Sequence, residues 1–140
     1  MTKEKKTAIL CVDDERMILQ SLELQLSEHF RNKHMLEFAE SAEEGLEILE
    51  NLADCGIKVL AIVSDWLMPG MKGDEFLITA HKRFPYIIKI MLTGFADEKA
   101  LEKVRKEADL YTCIRKPWTS EELIQVLDTA LGAFDIPKEL

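Results

Sequence analysis

At four places in this 140-residue chain, reactive side chains end or closely follow a short apolar run. Asp13-Asp14-Glu15 follows Ala8–Val12, and Asp65 follows Val59–Val63 and Ser64. Thr93 follows Ile87–Leu92, and Lys116 follows Leu110–Ile114 and Arg115. Three carboxylates brought within a few ångströms repel one another and raise each other's pKa. A hard divalent cation relieves that repulsion, and Mg²⁺ takes oxygen ligands while keeping several waters. A lysine beside such a cluster stabilises a phosphoryl group as a compact point charge. A threonine hydroxyl can donate to a phosphoryl oxygen. The set therefore suits receipt of a phosphoryl group on a carboxylate, with metal and ammonium balancing the charge. Singly, each residue has a blander reading: Asp-Asp and Asp65 as turn and cap chemistry, Thr93 as structural, Lys116 as a solvated loop charge. Joint placement on successive run ends carries the chemical reading.

The elements that must position these residues follow from the period of hydrophobicity. Ala8–Val12, Met35–Ala39, Val59–Val63, Ile87–Leu92 and Leu110–Ile114 read as strands. Between and after them, apolar residues recur at helical spacing. They are Ile18, Leu19, Leu22, Leu26 and Phe30; Leu46, Leu49 and Ala53; Phe76, Leu77, Ala80 and Phe84; Ala100, Leu101 and Val104; and Leu123, Ile124, Leu127, Ala130 and Leu131. Ser41-Ala42-Glu43-Glu44 and Thr119-Ser120-Glu121-Glu122 are capping boxes, Asp97 is a candidate cap, Gly56 closes the second helix and Pro85 stops the third. Five strands alternating with five helices predict a single doubly wound (βα)5 domain of the α/β class, its five-stranded parallel sheet covered on both faces. The domain spans 7–133, with an extension at 1–6 and a tail or linker start at 134–140. In open α/β sheets ligands bind outside the carboxyl ends of the strands, the rim where the reactive residues collect.

Composition narrows the function classes. The 18 Lys+Arg against 26 Asp+Glu leave a net charge of −8, which repels phosphate backbones and argues against direct nucleic-acid binding. The apolar runs are strand-sized, far short of the roughly 20 residues that cross a bilayer, and no secretory pattern opens the chain. A cytoplasmic location is expected. The three cysteines form no C-x-x-C pair and the three histidines show no zinc-ligand spacing, so reduced, structural thiols are expected.

Val12-Asp13-Asp14-Glu15, the run Asp65-Trp66-Leu67-Met68-Pro69-Gly70-Met71-Lys72-Gly73, Met91-Leu92-Thr93-Gly94 and Lys116-Pro117-Trp118 resemble the receiver domain of two-component response regulators. The resemblance covers about residues 7–133. It implies a flavodoxin-like, CheY-like fold with strand order 2-1-3-4-5. It also implies that Asp65 accepts a phosphoryl group from a phosphohistidine on a sensor histidine kinase or histidine phosphotransfer protein. Asp14 and Asp65 would ligate Mg²⁺, Asp13 mainly through water, and Leu67 by its backbone carbonyl. Lys116 would pair with the phosphoryl oxygens, and Thr93 would swing in to hydrogen-bond one of them. That movement would shift the face built from the fourth helix, fifth strand and fifth helix. Family members catalyse their own phosphorylation and slow dephosphorylation, can dimerise when phosphorylated, and act on a covalent or separate output domain.

The usual switch aromatic, three residues before the lysine, is replaced by Cys113. The nearest ring is Tyr111, expected on the same face by strand alternation. Leu67 and Phe95 are bulky and offer nothing to orient an attacking water, which predicts a long-lived phosphoryl group. Two other functions compete. A phosphorylation-independent adaptor is motivated by Cys113. A metal-dependent phosphohydrolase with Asp65 as nucleophile lacks the second aspartate its haloacid-dehalogenase-like relatives need, because Leu67 stands there.

Overall fold

The structure, a computed structural model, describes residues 6–94 and 98–134. The strands are β1 (Thr7–Val12), β2 (Met35–Ala39), β3 (Lys58–Asp65), β4 (Ile88–Thr93) and β5 (Thr112–Arg115). They alternate with α1 (Arg16–Phe30), α2 (Ala42–Asp54), α3 (Gly73–Arg83), α4 (Glu98–Ala108) and α5 (Ser120–Leu131). All strand pairs are parallel, in the order β2-β1-β3-β4-β5. The expected doubly wound fold is the one found.

Apolar residues of the strands divide between two cores. Phe76, Leu77, Leu49 and Val104 build the α2–α4 side, and Leu22, Leu26, Phe30, Leu123 and Leu127 build the α1/α5 side. Both faces of the central strands are buried, which is why β3 reads as a continuous apolar run. Within β3 the alternation is broken once. The pairing with β1 skips Leu60, so Leu60 and Ala61 both face α1/α5 while Val59 and Ile62 face the other core. This bulge sets the register in which Val12 pairs with Ser64, bringing Asp13 alongside Asp65.

Both capping boxes cap their helices through the leading hydroxyl. Ser41 Oγ accepts from the Glu44 amide and Thr119 Oγ1 from the Glu122 amide, each at 3.1 Å, a contact worth about 1 kcal/mol. The Glu44 carboxylate accepts from the amide of Glu40 rather than that of Ser41, so the return half of that box sits one residue early. Gly56, at φ +77°, closes α2. The expected Asp97 cap lies outside the described residues. Leu110 and Tyr111 precede β5 instead of opening it. Leu110 is apolar because it packs on the α2–α4 core, and burial alone does not make a strand. Phe134, expected in the tail, ends a 3₁₀ turn (Gly132–Phe134) and packs on the α1/α5 core. Lys58 Nζ lies 5.0 Å from the Tyr86 ring centroid and 5.5 Å from that of Phe134. No helix among the described residues is long and apolar enough to cross a membrane.

One buried lysine lies at the opposite, amino end of β4, away from the carboxyl edge of the sheet. Lys89 Nζ donates to the Ile87 carbonyl at 2.6 Å and sits 2.9 Å from His81 Nδ1. An ammonium has only donors, so Nδ1 accepts and His81 is neutral. Burial and the Lys89 charge hold His81 below its ordinary value of 6.5, opposed by Asp109. The unfolded chain therefore takes up a proton that the fold resists, and stability is lost as pH falls below that value. His81→Gln keeps an acceptor without a titrating group. Thermal melts from pH 6.5 down to about pH 5 should fall less steeply for this variant than for the parent.

Candidate functional site at the carboxyl edge of the sheet

Asp65 and Thr93 are the last residues of β3 and β4, and Asp13 and Lys116 each stand one residue beyond β1 and β5. Parallel pairing aligns these ends: Asp65 is level with Leu92, and Thr93 with Arg115. Two backbone bonds continue the sheet into the site. The Asp13 amide donates to the Ala39 carbonyl at 3.1 Å, and the Lys116 amide to the Thr93 carbonyl at 2.9 Å. The Lys116 ammonium is 3.0 Å from Asp65 Oδ1 and 3.7 Å from Asp13 Oδ2. Asp13, Asp65 and Thr93 are buried, whereas Asp14 is exposed.

The electrostatics reflect confinement. Asp13 is pushed up to about 6, first by burial and further by Asp65 and Asp14, against the Glu15 amide and Lys116, which lower it. Burial alone would lower Lys116, but its hydrogen bond to Asp65, with the charges of Asp65, Asp13 and Glu15, raises it. Asp13 Oδ1 accepts from the Glu15 amide at 2.8 Å, while the buried Oδ2 accepts no hydrogen bond from any described residue. Such an oxygen is costly unless a cation takes it. One oxygen each of Asp13, Asp14 and Asp65 lie within 4.8 Å of one another. All-oxygen donors, one of them without a hydrogen bond and met among the described residues only by the Lys116 ammonium at 3.7 Å, fit a hard divalent cation such as Mg²⁺.

The structure thus brings together Asp13, Asp14, Asp65 and Lys116, with Thr93 on the adjoining strand end. Leu67 stands half-exposed just beyond Asp65, and Phe95 lies outside the described residues. Tyr111 and Cys113, expected on one face, have different surroundings. Tyr111 stands just before β5, its amide donating to the Lys89 carbonyl at 2.8 Å, and lines a surface cavity with Gln125, Val126 and Thr129 of α5. Cys113 packs on the α2–α4 core. Sequence reading missed three features. Gly73 opens α3 hard against the Asp65 and Trp66 backbone, and its amide donates to the Trp66 carbonyl at 2.7 Å. Ser64 Oγ donates to the Asp65 carbonyl at 2.8 Å. Trp118 Nε1 donates to Gln25 Oε1 on α1 at 2.8 Å.

Known proteins agree with this geometry. The model of the response regulator receiver domain matches residues 9–128. The hydrogenase transcriptional regulatory protein HoxA of Cupriavidus necator is 32% identical over 93% of this chain, which spans 25% of that regulator's length. The signal receiver domain of an HD domain-containing protein from Pseudomonas fluorescens Pf-5 superposes with a TM-score of 0.80 at 32% identity, covering 93% of this chain and 97% of that one. A CheY-like receiver domain protein from Methanospirillum hungatei gives 0.79 at 31% identity, over 93% and 96%. With the family model matching most of its length and the acidic rim on the strand ends where that fold binds ligands, this chain belongs to the response regulator receiver domains.

Proposed function

We propose that this chain is a phosphorylation-activated switch whose acceptor is Asp65, loaded from a phosphohistidine on a sensor histidine kinase or phosphotransfer protein. The observation that carries this reading is the Lys116 ammonium 3.0 Å from an Asp65 oxygen, beside an Asp13 Oδ2 that accepts no hydrogen bond from a described residue. An Asp65 oxygen attacks phosphorus, the P–N bond breaks, and the leaving imidazole keeps the electron pair and takes up a proton. Asp14, Asp65 and the Leu67 carbonyl would hold Mg²⁺, with Asp13 acting mainly through water. Bound Mg²⁺ neutralises charge gathered on the phosphoryl oxygens. Lys116 supplies the second positive charge, and Thr93 donates to a phosphoryl oxygen, drawing the α4–β5–α5 face into its active arrangement. Cys113 has no ring to swing, so the output change runs through the backbone of β5 and the Tyr111 side of α5. Output passes to a covalent or separate domain in the cytoplasm, with dimerisation on phosphorylation.

Intact mass after incubation with acetyl phosphate tests the reading. A gain of one phosphoryl group that needs Mg²⁺ and is absent in Asp65→Asn is expected. No gain in a folded protein that binds Mg²⁺ would leave the adaptor reading instead. Leu67 and Phe95 provide no group to align water with phosphorus, so the acyl phosphate should persist. Leu67→Asn with Phe95→Glu should speed its loss by about tenfold or more, the scale of a modest general-base effect; an unchanged decay constant would sink this explanation.

A further inference from the structure

Lys116 works from a loop, and that loop is tied down at three points. Its own amide donates to the Thr93 carbonyl, and Thr119 caps α5. Between them, Trp118 Nε1 donates to Gln25 Oε1 at 2.8 Å, and the indole packs on the α1/α5 core. Of these ties only the Trp118 bond crosses to α1, the helix that begins immediately after the Asp13–Glu15 turn. It therefore joins the lysine carrier to the helix that follows the acidic turn. A lysine ammonium on a flexible stem is held only as firmly as the backbone beneath it.

We propose that Gln25 and Trp118 are positioning residues for Lys116: their hydrogen bond holds the 116–119 loop against α1, keeps the ammonium on Asp65 and thereby sets the rate of phosphoryl uptake. This rests on Asp65 being the acceptor. When the bond is removed, the half-buried indole N–H and the Gln25 carbonyl turn to water, and ring packing alone, which is not directional, holds the loop to α1. Lys116 then spends less time over the acceptor, and the reaction slows in proportion. Neither residue touches the carboxylates that would hold the cation, so metal affinity is not weakened.

The test compares Trp118→Phe, Gln25→Leu, the double variant and Gln25→Glu, which keeps an acceptor oxygen. Uptake rates from acetyl phosphate at saturating Mg²⁺ are read by intact mass. Each single change should slow uptake by about three- to tenfold, the worth of one hydrogen bond. The double variant should be no slower than either single, and Gln25→Glu should stay within about twofold of the parent. Mg²⁺ titration should show undiminished affinity. A second readout needs no phosphate: the carboxyl ¹³C resonance of Asp65, referenced to Lys116→Ala. It should move toward the Lys116→Ala position in Trp118→Phe and Gln25→Leu, and not in Gln25→Glu. Unmoved resonances, or additive losses in the double variant, overturn the proposal. A parent that shows the resonance shifts on substitution yet takes up no phosphoryl group upholds the positioning and overturns the acceptor reading alone.

Discussion

Gly73→Ala is expected to lower the stability of the fold by about 3 kcal/mol and to dismantle the site, the upper end of what overpacking costs. A Cβ at this position would stand 2.8 Å from Trp66 Cα and 3.0 Å from the Asp65 carbonyl carbon, with the Asp65 carbonyl oxygen nearer still. All three are backbone atoms, so no side chain can turn aside to make room. Relief requires either that α3 withdraw or that the end of β3 move. Withdrawal strips cover from Phe76 and Leu77, which are fully buried. Movement of β3 carries the Asp65 carboxylate away from Lys116. Urea denaturation should show a lower midpoint at unchanged slope, and the variant should take up phosphoryl groups poorly even where it is folded. Gly132→Ala is the matched control: that residue is helical, and a Cβ there meets nothing within 4 Å. Its midpoint should not fall and should rise slightly, because alanine has less backbone freedom to lose in a helical conformation.

Asp13→Asn should have the opposite effect on stability and the same effect on function. The folded carboxyl titrates near 6, against an ordinary value of 3.8. A raised acid holds its proton more tightly folded than unfolded, so its contribution is most favourable below pH 3.8 and is lost as pH rises through 6. At pH 7.5 the charged, buried carboxylate therefore costs about 3 kcal/mol. The amide removes that charge while its oxygen still accepts from the Glu15 amide. Melting at pH 7.5 should rise by several degrees, roughly 2–4 °C per kcal/mol at this size, and the gain should shrink toward zero below the ordinary carboxylate range. Mg²⁺-dependent uptake should disappear in the same variant. A site whose members destabilise the resting fold is the expected trade where charge is held ready for a ligand.

Most of the architecture was legible because α/β elements announce themselves locally. Period-3.6 stripes alternate with apolar runs, and the residues ending those runs, Asp13, Asp65, Thr93 and Lys116, had to meet at one edge of the sheet. Ser41 and Thr119 were legible for the same reason, since a cap needs only four consecutive residues. Tyr111 is exposed beside α5 although its amide still bonds to β4, so strand periodicity alone did not place its ring. Phe134 looked like tail because an aromatic residue beyond the last helical period carries no sign of the Lys58 stem it will meet.

The sequence by itself determined the class of fold, the family and the identity of the reactive edge, all of which rest on short-range pattern plus the fixed handedness of crossovers. Only the tertiary structure decided the rest. It set the bulge at Leu60 that brings Asp13 beside Asp65, the approach of Gly73 to the acceptor backbone, the pairing of Lys89 with His81, and the tie between Gln25 and Trp118 across 93 residues. These depend on which faces meet after the sheet closes and on sub-ångström clearances between distant segments. A periodicity that repeats every two or four residues holds no record of them.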